Sequence, residues 1–203
     1  TRIAERYRVG RVFIAGDAPH ISDGPTLNLA VQDAANLAWK LAAAVHGWAP
    51  PHLLDTYEQE RRAVGERVVM ATKAETALEA PGAAVTALRQ LHSELLQKPE
   101  NIRAIAALMA GADVRYDMGP APSDATGWFV SPTAGADELL REGRPLLLDR
   151  TGIGDVAARW SQRVKIVSLG ASGESMLIRP DGYVAWSGQT SLGLEAALTR
   201  WFG

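Results

Sequence analysis

An aspartate follows an apolar run in Arg11-Val12-Phe13-Ile14-Ala15-Gly16-Asp17. Such a run, ending in glycine, predicts a strand buried on both faces. The Asp17 carboxylate is then expected at the strand's carboxyl end, the edge at which open α/β sheets bind ligands. There it can accept a hydroxyl hydrogen bond with its direction fixed by the sheet. His20 adds an imidazole, but a loop histidine is expected to be solvated or hydrogen-bonded rather than catalytic. Glu60-Arg61-Arg62 has the charges of an anion site. Glu58 precedes both arginines at helical spacing, so an ordinary solvated helix face is expected there instead.

Other candidates carry less. Gly152-Ile153-Gly154 precedes a helix but has neither the third glycine nor the lysine of a phosphate loop. His46, His52 and His92 are scattered without ligand spacing and read as surface residues. No metal site and no catalytic side chain is assigned. The sequence has no cysteine, which removes disulfides, thiolate catalysis and zinc–sulfur sites and fits a cytoplasmic location. A formal net charge of -2 gives no footprint for nucleic acid. The longest apolar runs fall far short of the ~20 residues of a membrane span, and Thr1-Arg2-Ile3-Ala4-Glu5-Arg6 does not resemble a signal peptide. The chain opens on Thr1 and runs quickly into a strand, which reads as a fragment of something longer.

The elements that must position these residues follow from periodicity. After a loop over Pro19–Thr26, a long helix is capped near Thr26 and ends at Gly47. Leu27, Ala30, Ala34, Leu37, Leu41 and Ala44 form its expected apolar stripe. Ala35, Ala38, Ala42 and Ala43 widen that stripe into a surface for close packing. A second long helix is expected from Pro50-Pro51 to Pro81-Gly82, with Leu54, Tyr57, Val64, Val68 and Ala71 inward. Shorter helices are expected over Val85–Leu96 and Ile102–Met109, separated by Lys98-Pro99. The tryptophans are spread out and are expected to pack rather than stack on a ligand.

Asp117 to Gly135 is rich in Gly, Pro, Ser, Ala and Asp and reads as a linker, extending to residue 139. Beyond it the pattern predicts a buried strand, Pro145–Asp149, a short helix, Asp155–Ser161, and a strand, Val164–Ser168. A hairpin follows, Ser175–Arg179 with Tyr183–Trp186 around Pro180-Asp181-Gly182, and then a closing helix, Ser191–Phe202. This β-α-β-β-β-α order is that of a small thioredoxin-like domain. Having no cysteine, it is expected to serve structure or association rather than redox exchange. The division is thus residues 1–116, mostly helical; 117–139, linker; and 140–203, the small α/β domain.

Three stretches resemble the class A flavoprotein monooxygenases, specifically the aromatic hydroxylases of phenols and polyketides. The run Gly16-Asp17-Ala18-Pro19-His20 with Leu27-Asn28, Gln32-Asp33 and Asn36-Leu37-Ala38-Trp39-Lys40-Leu41 resembles the family's second flavin motif. Tyr57-Glu58-Gln59-Glu60-Arg61 resembles the segment that follows it. Arg179-Pro180-Asp181-Gly182-Tyr183-Val184-Ala185-Trp186 resembles the hairpin of its C-terminal thioredoxin-like domain.

The resemblance implies an α/β fold: a helical remainder of an FAD-binding domain, then the thioredoxin-like domain. It implies FAD, with NAD(P)H as co-substrate, oxidising an aromatic small molecule, with the cofactor carrying the hard step. Asp17 would bind the ribityl chain, with Gly16, Gly24, Pro25, Leu27 and Asn28 beside the isoalloxazine at the helix N-terminus. The loop before Leu27 departs from the family, being shorter and lacking its Gly-Gly-Gln-Gly. No Gly-x-Gly-x-x-Gly occurs in the chain either. The chain alone is therefore expected to be inactive. The alternative is a non-catalytic module that self-associates, as a homodimer, through its alanine-rich helix.

Overall fold

The computed structural model describes residues 2–21, 27–120, 123–130, 135–170 and 172–203. They form two compact units, Thr1–Ala34 with Tyr57–Val114, and Ala35–Thr56 with Arg115–Gly203. Residues 35–56 therefore group with the C-terminal part of the chain.

The first unit opens with four two-residue strands, β1 (Arg2–Ile3), β2 (Arg8–Val9), β3 (Val12–Phe13) and β4 (His20–Ile21). The outer pair β1–β4 and the inner pair β2–β3 are both antiparallel. The expected buried strand Arg11–Gly16 is thus reduced to Val12–Phe13. Among the described residues β3 pairs with β2 alone, through a turn at Gly10 (φ 58°). With one neighbour its side chains stay accessible, and Val12 is 67% exposed. Gly16–Pro19 form a turn in which Gly16 takes a left-handed φ of 70°, at little steric cost without a Cβ.

Four helices follow: α1 (Leu27–Val45), α2 (Asp55–Glu79), α3 (Ala83–Leu95) and α4 (Pro99–Ala110). The second begins later than Pro50-Pro51 suggested. Residues 51–54 are turns and His52 takes φ 71°, which no α-helix admits. The fourth begins earlier than expected. Pro99 occupies its first turn, where the missing N–H costs nothing, and Gly111 closes it in left-handed conformation.

The second unit carries α5 (Asp137–Leu140), β5 (Leu146–Asp149), a 3-10 helix (Gly154–Trp160), β6 (Lys165–Ser168), β7 (Ser175–Ile178), β8 (Val184–Gly188) and α6 (Leu194–Phe202). The sheet order is β6-β5-β7-β8; β5 runs parallel to β6, and the other pairs are antiparallel. All four residues of β5 are buried, as a continuous apolar strand covered on both faces requires. One face packs Leu146 and Leu148 with Val130, Ala136, Ile178 and Val184.

The stretch read as a linker is ordered over its described part. Tyr116, Met118 and Val130 are buried. Backbone bonds tie it down, from Tyr116 N–H to the Gly127 carbonyl, Gly127 N–H to the Val184 carbonyl and Val130 N–H to the Gly182 carbonyl. Its glycines serve tight approach: a Cβ on Gly127 (φ 90°) would stand 2.4 Å from the Tyr116 carbonyl oxygen. Composition alone does not separate such a stretch from a free linker.

Candidate functional site

Helix α1 organises the site, and its buried stripe is only partly the one expected. Leu27 is 75% exposed, and Ala34, Leu41 and Ala44 are exposed too. The buried stripe is Leu29, Asp33, Asn36, Leu37, Lys40 and Ala43, with Trp39 beside it. Three of these are polar or charged, and burying such groups is unfavourable unless each is hydrogen-bonded.

In the first unit Asp33 meets that condition. One carboxylate oxygen accepts from Arg61 Nε at 2.6 Å, the other lies 2.9 Å from His20 Nε2, and all three side chains are fully buried. Arg61 also donates to the Leu29 carbonyl at 3.3 Å. The expected solvated face of α2 is therefore wrong at Arg61, and Glu60 is 8% exposed. Arg62 with Glu66, 2.9 Å apart, does behave as an exposed helix pair. His20 is hydrogen-bonded and buried rather than solvated. Glu58 accepts from the backbone N–H groups of Tyr7 and Arg8 at 2.7 and 2.9 Å, and Tyr57 donates to the Ile14 carbonyl at 2.8 Å. Burial, and then the Asp33 charge, raise Tyr7 and Tyr57 well above the ordinary phenol range, so both are neutral.

This cluster fixes the turn that carries Asp17. His20 ends the turn, and a Cβ built on Gly16 would lie 3.9 Å from the Ala30 Cβ, so the turn rests against the first turns of α1. Asp17, Leu27 and Asn28 are exposed and Gly16 is half-buried. The structure thus brings Gly16 and the start of α1 together. Gly24 and Pro25 lie outside the described residues. A surface carboxylate on a turn beside a helix start can accept hydrogen bonds from hydroxyl groups, and the helix start favours an anionic edge.

In the second unit Asn36 donates to Asp181 at 3.1 Å, and Lys40 donates to Asn36 at 2.7 Å. Arg179 forms a bidentate pair with Asp181. Its buried guanidinium lies 4.6 Å from the Trp201 ring centroid and 5.3 Å from those of Trp39 and Tyr116, a cation–π cage. Asn36-x-x-Trp39-Lys40 and Arg179-x-Asp181 are thus halves of one cluster. Trp39, Trp160, Trp186 and Trp201 are buried packing residues, and Trp128 is 38% exposed. The glycines after β5 are occupied internally. The Asp149 carboxylate accepts backbone N–H bonds from Thr151, Gly152, Ile153 and Gly154. Burial opposes its ionisation, but these bonds prevail and hold it below the ordinary carboxylate range.

Sequence reasoning missed Asp33, Arg61, Asn36 and Lys40 as members of the site's frame. The available signal was three polar residues at helical spacing on an otherwise apolar helix. Among the described residues no helix is long and apolar enough to cross a membrane.

Two family models match the chain. Residues 1–72 match the model of the FAD binding domain family, and residues 125–203 that of the aromatic-ring hydroxylase C-terminal family. Rifampicin monooxygenase of Rhodococcus hoagii is 42% identical over 213 residues, spanning 100% of this chain and 44% of that protein. The 12-dehydrotetracycline 5-monooxygenase/anhydrotetracycline 6-monooxygenase of Streptomyces rimosus subsp. rimosus is 39% identical, over 100% and 45%. The crystal structure of CabE, an aromatic hydroxylase from angucycline biosynthesis, superposes with a TM-score of 0.88 at 39% identity, over 98% of this chain and 46% of that one. The chain spans under half the length of the relatives it matches.

Proposed function

We propose that the chain belongs to the FAD-dependent aromatic-ring hydroxylases, whose FAD binding domain and C-terminal family models match its two ends, and that it forms one wall of the flavin site of a monooxygenase acting on an aromatic, polyketide-type substrate. When bound, FAD reduced by NAD(P)H supplies the oxygen-transfer chemistry. Asp17 would hold the ribityl hydroxyls. Gly16 allows the turn's close approach, and Leu27 and Asn28 present the start of α1 to the ring edge. The buried His20–Asp33–Arg61 cluster keeps that turn and helix in register. Its convergence from three separated segments, the turn at His20, α1 and α2, is the observation that carries the reading.

Residues 140–203 would be a thioredoxin-like domain, which the β6-β5-β7-β8 order with one parallel pair supports. The exposed alanines of α1 support a homodimer, which would appear as a concentration-dependent species in light scattering. The relatives named above are enzymes by description, which favours the flavin reading over a purely interacting module.

The test is flavin content and substrate-stimulated NADPH oxidation of the protein as its gene encodes it, beside the 203-residue chain. The encoded protein should bind FAD, the 203-residue chain alone should oxidise no NADPH, and Asp17→Ala should lower flavin affinity by about tenfold or more. Unchanged affinity in that variant would remove Asp17 from the site, and an encoded protein that takes up no flavin would end the reading.

A further inference from the structure

Helix α1 is held through its buried polar face at two places. Asp33, Asn36 and Lys40 follow one another at three- and four-residue spacing and so share one face of an unbroken helix. Asp33 takes Arg61 and His20, at the turn that carries Asp17. Asn36 takes the tip of the β7–β8 hairpin, where its Nδ2 donates to Asp181 Oδ2, and its Oδ1 accepts from Lys40 Nζ. These partners fix which way round the amide lies, because an ammonium only donates and a carboxylate only accepts. An apolar residue at position 36 would serve neither neighbour, and an acid there would set two carboxylates face to face. Asp181 is held in turn. Its side chain is 2% exposed and that of Arg179 0%, and Arg179 donates to both of its oxygens. The hairpin tip closes through the Gly182 N–H to the Arg179 carbonyl at 2.9 Å, with Gly182 at φ 84°.

We infer that Asn36 and Asp181 are positioning residues for the Asp17 turn. The hairpin holds α1 at Asn36, and one helical turn away α1 holds the turn through Asp33 and His20. A helix rotates and slides as one body, so a bond that fixes Asn36 also restricts where Asp33 can lie. The bond at Asn36 is suited to that work. It is buried, it joins an amide to a carboxylate already paired with a cation, and no water is at hand to replace a lost partner. Neither side chain needs to touch a ligand to act in this way. The C-terminal hairpin thereby gains a part in shaping a site built from the other end of the chain. The consequence for flavin rests on the proposed role of Asp17, whereas the restraint along α1 does not.

The experiment exchanges the two side chains. Asn36→Asp sets two carboxylates against each other, and Asp181→Asn removes the carboxylate beside Arg179. The double variant Asn36→Asp/Asp181→Asn restores one amide and one carboxylate with the net charge unchanged. Amide hydrogen exchange is followed on the flavin-free protein as its gene encodes it. The Ala4 N–H, bonded to the Pro19 carbonyl, reports the turn, and the Leu169 N–H, bonded to the Asp149 carbonyl, reports the sheet. Each single variant should speed exchange at Ala4 by about tenfold with Leu169 unchanged, and the double variant should return Ala4 to within about twofold of the wild type. Flavin affinity should follow the same order, about tenfold weaker in each single variant and recovered in the double. An unmoved Ala4 amide in both single variants, equal acceleration at Leu169, or a double variant no better than the singles would each overturn the assignment. The wild type supplies an arm that needs no variant. Under rising urea its Ala4 and Gly182 amides should reach a common opening before global unfolding, and separate openings would overturn the assignment too. The exchange arms contain no flavin. Their failure leaves the flavin reading standing, and a protein that takes up no flavin leaves them fully decisive.

Discussion

Asp17 and Asp149 each end an apolar run, Val12-Phe13-Ile14-Ala15-Gly16 in one unit and Leu146-Leu147-Leu148 in the other, yet the fold uses them in opposite ways. Asp149 is 5% exposed and saturated by the backbone N–H groups of the loop it closes. Asp17 is exposed on a turn whose rigidity comes from other residues. The first carboxylate is buried in the loop it closes, and the second lies at the surface. What separates them is the chain that follows. After Asp149 successive N–H groups curl back onto the carboxylate, whereas the turn after Gly16 runs on to His20 and the Asp33–Arg61 pair. An aspartate after a strand is thus a site only where something else holds its loop.

The sharpest way to break this comparison is to remove that other holder. Arg61→Met leaves Asp33 buried beside His20 without its cation and should destabilise the chain by about 3–5 kcal/mol in urea unfolding. A loss under 1 kcal/mol would mean the ion cluster does not hold the turn. Asp149→Ala should cost less, about 2–3 kcal/mol, since the orphaned N–H groups partly regain water. Its effect should also depend on pH. Asp149 is held below the ordinary carboxylate range in the fold, so its contribution is complete above the unfolded value of about 4 and is lost as pH falls through the lowered folded value. The stability gap between the wild-type chain and Asp149→Asn should therefore narrow below about pH 4, and a constant gap would show that the ionised form is not the one favoured. Asp17→Ala should be smallest, within about 0.5 kcal/mol, while flavin affinity falls. A large loss of stability there would make Asp17 a structural residue like its counterpart.

Much of the second unit was legible. Its strands alternate or run apolar as strands do, the hairpin turns at Pro180-Asp181-Gly182, and α6 closes the sheet. The first unit was legible in element type but not in orientation. Periodicity placed α1 with its leucines and alanines inward; the fold keeps Leu37 and Ala43 there but exposes Leu27, Ala34 and Leu41 and buries Asp33, Asn36 and Lys40. Hydrophobic periodicity assumes that polar groups prefer water, and it fails where partners from distant segments satisfy them. Arg61 was misplaced for the same reason. Its local partner, Glu58, turns to the Tyr7 and Arg8 backbone, and its real one lies 28 residues away. The stretch over residues 117–130 misled through composition, since its glycines allow close packing as readily as freedom.

The sequence by itself determined the family, the helices and the small sheet, because motifs, capping residues and apolar runs act over a few neighbouring positions. Only the tertiary structure decided which charges are buried, which of two similar aspartates lies at the surface, and that Asn36 with Lys40 and Arg179 with Asp181 form one cluster. Those outcomes depend on pairs up to 145 residues apart. The energy of a buried polar group is set by the partner it finds, and no local pattern encodes that partner.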